Sequence, residues 1–258
     1  MRLLTIHHLA ATGGSVICKA INSMNNTLVV SETHPNVLQY KFNPFDPTQI
    51  LLHQPKLKNN LELRKSIYVN RIKDCYSIAE QINCNLVLRD HAHSDYMQTK
   101  NIESIKNKCS LLEALPKYFE VRSILSIRDP IESFISSQLK GWINNITNFD
   151  DYCRRYELMV ETYFARGAKI VRYEDFCKNP NDTLRTICNF FDISFNENFE
   201  EIFYEIPMTG NSGRGKTLDH IRTLEPKVVG VRLKDEALSS NSYIRLSNRF
   251  NYGAGIFN

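Results

Sequence analysis

Leu3-Leu4-Thr5-Ile6-His7-His8-Leu9-Ala10-Ala11-Thr12-Gly13-Gly14-Ser15-Val16-Ile17 is the stretch on which the fold is decided. A compact apolar run, Leu3 to His7, ends at a turn of small residues. Beyond Gly14 the apolar period changes, with Val16, Ile17, Ala20, Ile21 and Met24 recurring at helical spacing. A Gly-Gly turn between strand and helix lets successive backbone N–H groups and the positive end of the helix dipole converge on one phosphate, and Thr12 and Ser15 add hydroxyl donors. The same letters also fit an ordinary strand-to-helix turn with Ser15 as a first-turn cap. A Walker A loop is absent, because no Lys precedes Ser15 and no Gly stands five residues before Gly14. That disfavours an ATPase or a kinase.

Four further segments read as buried strands: Leu28 to Ser31, Asn85 to Arg89, Val121 to Ile127 and Ala168 to Arg172. Each is a short run of Val, Ile or Leu, as in a parallel sheet covered on both faces. Helical patterns separate them. Ile72, Cys75, Tyr76, Ala79 and Ile82 form one apolar stripe, and Phe149, Tyr152, Cys153, Tyr156, Met159, Val160 and Tyr163 form a longer one. A further helix starts with Asn179 as N-cap and Pro180 as first residue, turning Leu184, Ile187, Cys188 and Phe191 inward. Strands alternating with helices predict a doubly wound α/β domain with right-handed crossovers. Lys41 to Leu63, with Pro44, Pro47 and Pro55, reads as a long surface excursion on the substrate side, and beyond Pro207 a glycine-rich, polar and basic segment follows. No linker divides the chain, so one domain over residues 1–258 is expected.

The chain has 258 residues, 42% apolar and 23% charged, which is globular composition and excludes fibrous or low-complexity classes. A net charge of +4 is too small for a nucleic-acid surface and suits a pocket for a small anion. Seven cysteines without a C-x-x-C pair or a neighbouring His cluster read as reduced thiols, and no metal site is expected. No apolar run reaches the length of a membrane span, and Met1 leads directly into the first strand without a signal-type apolar region. The expectation is a soluble, cytoplasmic protein.

Ser126-Ile127-Arg128-Asp129-Pro130-Ile131-Glu132-Ser133-Phe134-Ile135-Ser136 places an Arg at a strand end and a Ser eight residues on, in the next helix. An Arg fork binds phosphate oxygens bidentately, and a hydroxyl near a helix start adds a donor. Ile170-Val171-Arg172-Tyr173-Glu174-Asp175-Phe176 runs on through Asn179-Pro180 to Asn189-Phe190-Phe191, and Gly210-Asn211-Ser212-Gly213-Arg214-Gly215-Lys216 follows. With the opening turn, these segments in this order resemble the sulfotransferase family, whose members move a sulfuryl group from 3'-phosphoadenosine 5'-phosphosulfate (PAPS) to an alcohol or amine. The resemblance implies a three-layer, P-loop-like fold with a central, mostly five-stranded parallel sheet flanked by helices. It implies PAPS as co-substrate, with Ala11, Thr12, Gly13, Gly14, Ser15 and Val16 around the 5'-phosphosulfate. Arg128, Ser136, Tyr173 and the loop of Arg214, Gly215 and Lys216 would bind the rest of the nucleotide. Read singly, Arg128-Asp129 could be a surface ion pair, Tyr173 a core residue, and Arg214 with Lys216 a solvated loop.

Sulfuryl transfer needs an in-line acceptor oxygen, a group to take its proton, and positive charge over the leaving phosphate and the sulfuryl oxygens. Glu32 is similar in position to the catalytic Glu of tyrosylprotein sulfotransferases, and His91 to the base of the cytosolic small-molecule enzymes. Both stay open. Arg89 stands where both groups carry the Lys that stabilises the transferred group. Ala11 departs from the pattern, since many relatives have Arg or Lys there; Lys19, four residues beyond Ser15, is either a substitute or a solvent-facing lysine. His34 and His93 read as surface or hydrogen-bonded histidines rather than catalysts. The acceptor is expected to be a small molecule or carbohydrate, and a relative that binds nucleotide without turnover is the alternative.

Overall fold

The computed structural model describes residues 1–35, 50–51, 53–57, 60–206 and 221–253. Five parallel strands form its centre: β1 (Arg2–His8), β2 (Thr27–Thr33), β3 (Asn85–Asp90), β4 (Glu120–Ile127) and β5 (Lys169–Arg172), in the order β2-β3-β1-β4-β5. Each lies within two residues of its expected bounds. Strands shielded on both sides are filled mainly by apolar side chains, and in β1 every residue after Arg2 is buried, the hydrogen-bonded Thr5, His7 and His8 among them. The chain leaves β1 by α1 (Gly14–Asn22) for β2, then turns back to insert β3 between them before crossing to β4. The order therefore reverses around β1, and in open α/β sheets ligands bind beyond the strand C-termini at such a point.

The long middle helix, α2 (Leu61–Gln81), starts within the stretch read as a surface excursion; most of that excursion lies outside the described residues. Ile72 and Ala79 of its stripe are buried, but Ile82 follows the helix end and is exposed. Two short helices, α3 (His93–Tyr96) and α4 (Ser110–Ala114), precede β4. Next come α5 (Pro130–Leu139), α6 (Phe149–Ala165), α7 (Tyr173–Lys178), α8 (Pro180–Phe191) and α9 (Phe199–Phe203). Pro180 opens α8 as expected, although the Asn179 side chain makes no capping bond.

One face of the sheet packs Leu4, Ile6, Val87 and Ile124 against α1, α7, α8 and α9. The other places Leu125 and Ile127 against the aromatic stripe of α6. Two helices in the segment that composition marks as polar and basic, α10 (Val231–Ser239) and α11 (Asn241–Phe250), close this second layer by burying Ala237, Tyr243 and Leu246. Their signal was present: Tyr243, Leu246, Ser247 and Phe250 recur at helical spacing.

The helix α6 also sets the end of β4. The buried Tyr156 hydroxyl accepts from the Arg128 backbone N–H at 2.8 Å and donates to the Arg128 carbonyl at 2.8 Å. Tyr156→Phe leaves both backbone groups unpaired in a dry site. Urea unfolding is expected to show a loss of about 1–3 kcal/mol, and an unchanged midpoint would contradict this role.

Candidate active site

At the strand C-termini a cavity of about 340 Å³ is lined by residues of all the expected site segments that are described. Ala11, Gly13, Gly14, Ser15 and Val16 come from the first turn, Glu32 from β2, Arg89 and His91 from the end of β3, and Arg128, Ser136 and Tyr173 from beyond β4 and β5. Arg214, Gly215 and Lys216 lie outside the described residues.

The first turn curls as an anion cradle requires. Ala11 and Gly13 both take left-handed backbone, φ 64° and 88°, and the N–H groups of Gly14 and Ser15 open α1, where a helix offers them no acceptor. For Ala11 that conformation costs roughly 1–2 kcal/mol. The glycines are needed for packing as much as for conformation. A Cβ on Gly13 would stand 2.3 Å from Tyr173 Cδ2, and one on Gly14 would stand 2.2 Å from the His8 ring. Thr12 differs from expectation: its hydroxyl is buried, donates to the Leu9 carbonyl at 2.9 Å and lies 3.3 Å from the Ser126 carbonyl, and the Thr12 carbonyl accepts from the Ser126 hydroxyl at 2.7 Å, so the residue fastens the turn to β4 rather than facing the cavity.

Arg89 is the hub. Only 3% exposed, it donates from Nε to His8 Nε2 at 2.9 Å, from one terminal nitrogen to Ser31 Oγ at 2.7 Å and from the other to Ser15 Oγ at 2.7 Å. His8 Nδ1 lies 2.7 Å from the Leu9 carbonyl, which can only accept. Because Arg89 can only donate, His8 is the neutral tautomer with its proton on Nδ1. Burial, reinforced by the Arg89 charge, holds its pKa well below the usual value. Neither His8 nor Ser31 was picked out by sequence reasoning. The His8-to-Arg89 pairing is invisible without the strand order.

Glu32 sits where the β2–β3 register slips between Val30 and Thr33, with a left-handed φ of 55°, and its carboxylate is 3.8 Å from Arg89. A bulge of this kind re-aims a strand-end side chain. His91 reaches the same cavity just after β3, and burial lowers its pKa against the opposing pull of Glu32 and Asp90. Its ring makes no hydrogen bond to another described residue. His93 does not continue the strand: it opens α3, and its Nε2 donates to the Trp142 carbonyl at 2.9 Å. His34 is buried against Asp95 at 3.3 Å. Lys19 turns away from the first turn, over the Phe203 ring at 4.8 Å, and does not line the cavity.

Arg128 forms the second cationic point. It stacks on Tyr173, 4.7 Å from the ring centre, and pairs with Glu132 at 2.9 Å rather than with Asp129. Asp129 instead caps α5 by accepting from the Ile131 N–H; burial is the main reason its pKa rises to about 6. Ser136 lies one turn beyond Glu132 and lines the cavity. Leu139, Lys140, Trp142, Leu224 and Lys227 complete the wall, none of them foreseen from sequence. Four cations, Arg89, Arg128, Lys140 and Lys227, face one carboxylate, Glu32, among the described lining residues. Such a field selects an anion.

A model of the sulfotransferase family matches residues 27–197. The chain belongs to the sulfotransferase family. Among solved structures it resembles the sulfotransferase domain from the Synechococcus PCC 7002 olefin synthase at 15% identity and a TM-score of 0.55, covering 98% of this chain and 95% of that one. It also resembles the sulfotransferase domain from the curacin biosynthetic pathway at 14% identity and a TM-score of 0.53, covering 98% and 99%. No curated protein sequence matches it. The five-stranded parallel α/β architecture is thus that of sulfotransferase domains, while identities this low carry the fold alone. Among the described residues no His, Cys, Asp and Glu group could hold a metal ion, and no helix is long and apolar enough to cross a membrane.

The Tyr173 ring packs tightly over Gly13 in the first turn. Gly13→Ala adds a Cβ where the Tyr173 ring stands and asks an L-residue to hold φ 88°. Thermal unfolding should report a destabilisation of about 1–3 kcal/mol; a neutral variant would mean that the turn is not packed in this way.

Proposed function

We propose that residues 1–258 act as one sulfotransferase domain, moving a sulfuryl group from PAPS to an acceptor hydroxyl or amine. The observation that carries this reading is the buried Arg89 fork. It is tied to Ser15 in the first turn and stands beside Glu32 and His91, so that a fixed cation, an anion cradle and proton acceptors share one cavity. The donor set fits a ligand with two separate phosphate groups. Arg89, Ser15 and the first-turn N–H groups form one cluster, and Arg128 with Ser136 forms the other, both on the same wall.

In this reading His91 takes the acceptor's proton while the new O–S bond forms and the bond from sulfur to the phosphosulfate bridging oxygen breaks. Arg89 holds positive charge over the oxygens that gain negative charge. His91 is favoured over Glu32 because burial lowers its pKa, leaving the ring neutral at pH 7, and the ring makes no hydrogen bond to a described residue, whereas Glu32 is drawn to Arg89. The acceptor is a small molecule or carbohydrate. The alternative, a nucleotide binder without turnover, draws on Ala11, which brings no cation to the cavity edge.

Binding and transfer can be read separately. 3'-Phosphoadenosine 5'-phosphate, and not ATP, should raise the melting temperature. Transfer from labelled PAPS should fall by about 10²-fold or more in His91→Gln and be lost in Arg89→Ala. Because the His91 pKa is lowered, the wild-type rate should be level at pH 7 and decline only as pH drops below 6.5 through that lowered value, as the ring takes up a proton. If His91→Gln keeps both rate and acid limb, Glu32 is the base. Stabilisation by the nucleotide with no transfer to any acceptor supports the binder, and no stabilisation at all removes the nucleotide reading.

A further inference from the structure

The described segment that precedes α10 runs without regular structure past the cavity, with Leu224 and Lys227 in its wall. It is fastened there by one residue of α5. Glu132 accepts the Lys227 backbone N–H at 2.7 Å on one carboxylate oxygen and the Lys227 ammonium at 2.8 Å on the other, which also receives Arg128 at 2.9 Å. Burial alone would raise the Glu132 pKa, but Lys227 and Arg128 outweigh it, so the carboxylate is anionic at neutral pH. The arrangement is two cations around one carboxylate, and it leaves an excess positive charge.

That excess charge is directed toward the cavity. Of the three ammonium donors of Lys227, two are spent on the Glu132 carboxylate and carbonyl. Arg128 spends one N–H on Glu132 and one on the Ala11 carbonyl, and its remaining donors meet no described residue. Lys227 lines the cavity while Glu132 does not, so the carboxylate stands behind the two cations as seen from the ligand space.

We propose that Lys227, held in place by Glu132, is a third recognition group beside Arg128 and Ser136 for the 3'-phosphate of the donor nucleotide, and that it sets the preference for nucleotides carrying that phosphate. The inference rests on the PAPS reading above. It adds a residue outside the sequence segments from which that reading was built. A lone Arg–Glu pair is neutral and would offer a dianionic phosphate little. The added ammonium makes the cluster cationic and brings the segment before α10 into the binding wall.

The experiment is titration calorimetry of 3'-phosphoadenosine 5'-phosphate and of ADP, which lacks the 3'-phosphate, against wild type, Lys227→Met and Lys227→Arg. The affinity ratio between the two nucleotides should fall about tenfold or more in Lys227→Met, as expected for loss of a charged hydrogen bond. ADP binding should stay unchanged, and Lys227→Arg should retain the ratio to within about threefold. Equal weakening of both nucleotides in Lys227→Met would mean that Lys227 only holds the segment, and an unchanged ratio would mean that it does not touch the 3'-phosphate. Either result overturns the inference and leaves the donor reading standing. Failure of wild type to bind the 3'-phosphorylated nucleotide would overturn both. Should Lys227→Met not fold, Lys227→Gln supplies the same comparison.

Discussion

A guanidinium group buried beneath a ligand cavity has to find its hydrogen-bond partners inside the protein, and at Arg89 this requirement ties the upper edge of the sheet together. Taking such a cation out of water costs several kcal/mol unless its donors are met. Three of its hydrogen-bond partners among the described residues come from separate pieces of chain: His8 at the end of β1, Ser15 in the first turn of α1, and Ser31 near the end of β2. One side chain can reach all three only because β3 lies between β1 and β2. The strand order is therefore a condition of the site. The demand passes outward as well: His8 must stay neutral to accept from Arg89, which fixes its other nitrogen on the Leu9 carbonyl, and its ring position leaves no room for a side chain at Gly14.

Arg128 repeats the logic on the other side of β1. Tyr156 of α6 brackets its backbone, the Tyr173 ring covers its guanidinium, and the same ring closes over Gly13. Two cations at the ends of β3 and β4 thus flank the first turn, each braced by an aromatic or imidazole ring that also limits that turn to glycine. The left-handed Ala11 carries a strain that this packing from both sides sustains.

The elements legible in the sequence were those whose signal is local. All five strands showed as short apolar runs, with the inner strands β1, β3 and β4 largely buried and the edge strands β2 and β5 only partly, and α6 showed because its stripe runs through Phe149, Tyr156 and Tyr163 without interruption. The motif residues Arg89, Arg128 and Ser136 could be named through the resemblance to the sulfotransferase family, and with Ser15 they stand where patterning put strand ends and helix starts. What escaped was relational. His8 reads as one more strand residue until β3 is placed beside β1, and Lys227 lies far from Glu132 in sequence, in a stretch without periodicity. Thr12 was misdirected because a hydroxyl in a glycine turn has two uses, ligand donor or backbone fastener, and only the position of the Ser126 carbonyl decides between them. The helices α10 and α11 were missed for a different reason. Their apolar faces are narrow and lie among charged residues, so composition masked a period that was present.

The two dipeptides His7-His8 and Arg89-Asp90 show how the site and the sheet specify each other. Adjacent residues of a strand face opposite sides, so each dipeptide presents one group above the sheet and one below. Toward the cavity, Arg89 donates to the neutral His8. Toward α6, His7 lies 2.7 Å from the Asp90 carboxylate, which also accepts from the Tyr163 hydroxyl at 3.0 Å. The chain of buried polar groups continues from His7 to Thr5 at 2.9 Å and on to Ser123 of β4 at 2.7 Å, so β3, β1 and β4 are linked through their interior face. A slip of one residue between β1 and β3 would turn Arg89 toward the Asp90 pocket and bring a carboxylate under the anion cradle. Both exchanges would leave buried charge without its partner, a penalty that an apolar pair at these positions would not impose. The polar residues in the middle of an otherwise apolar sheet thereby hold the register that delivers Arg89 to the first turn, and the cation that the cavity needs is the same one that makes any other register costly.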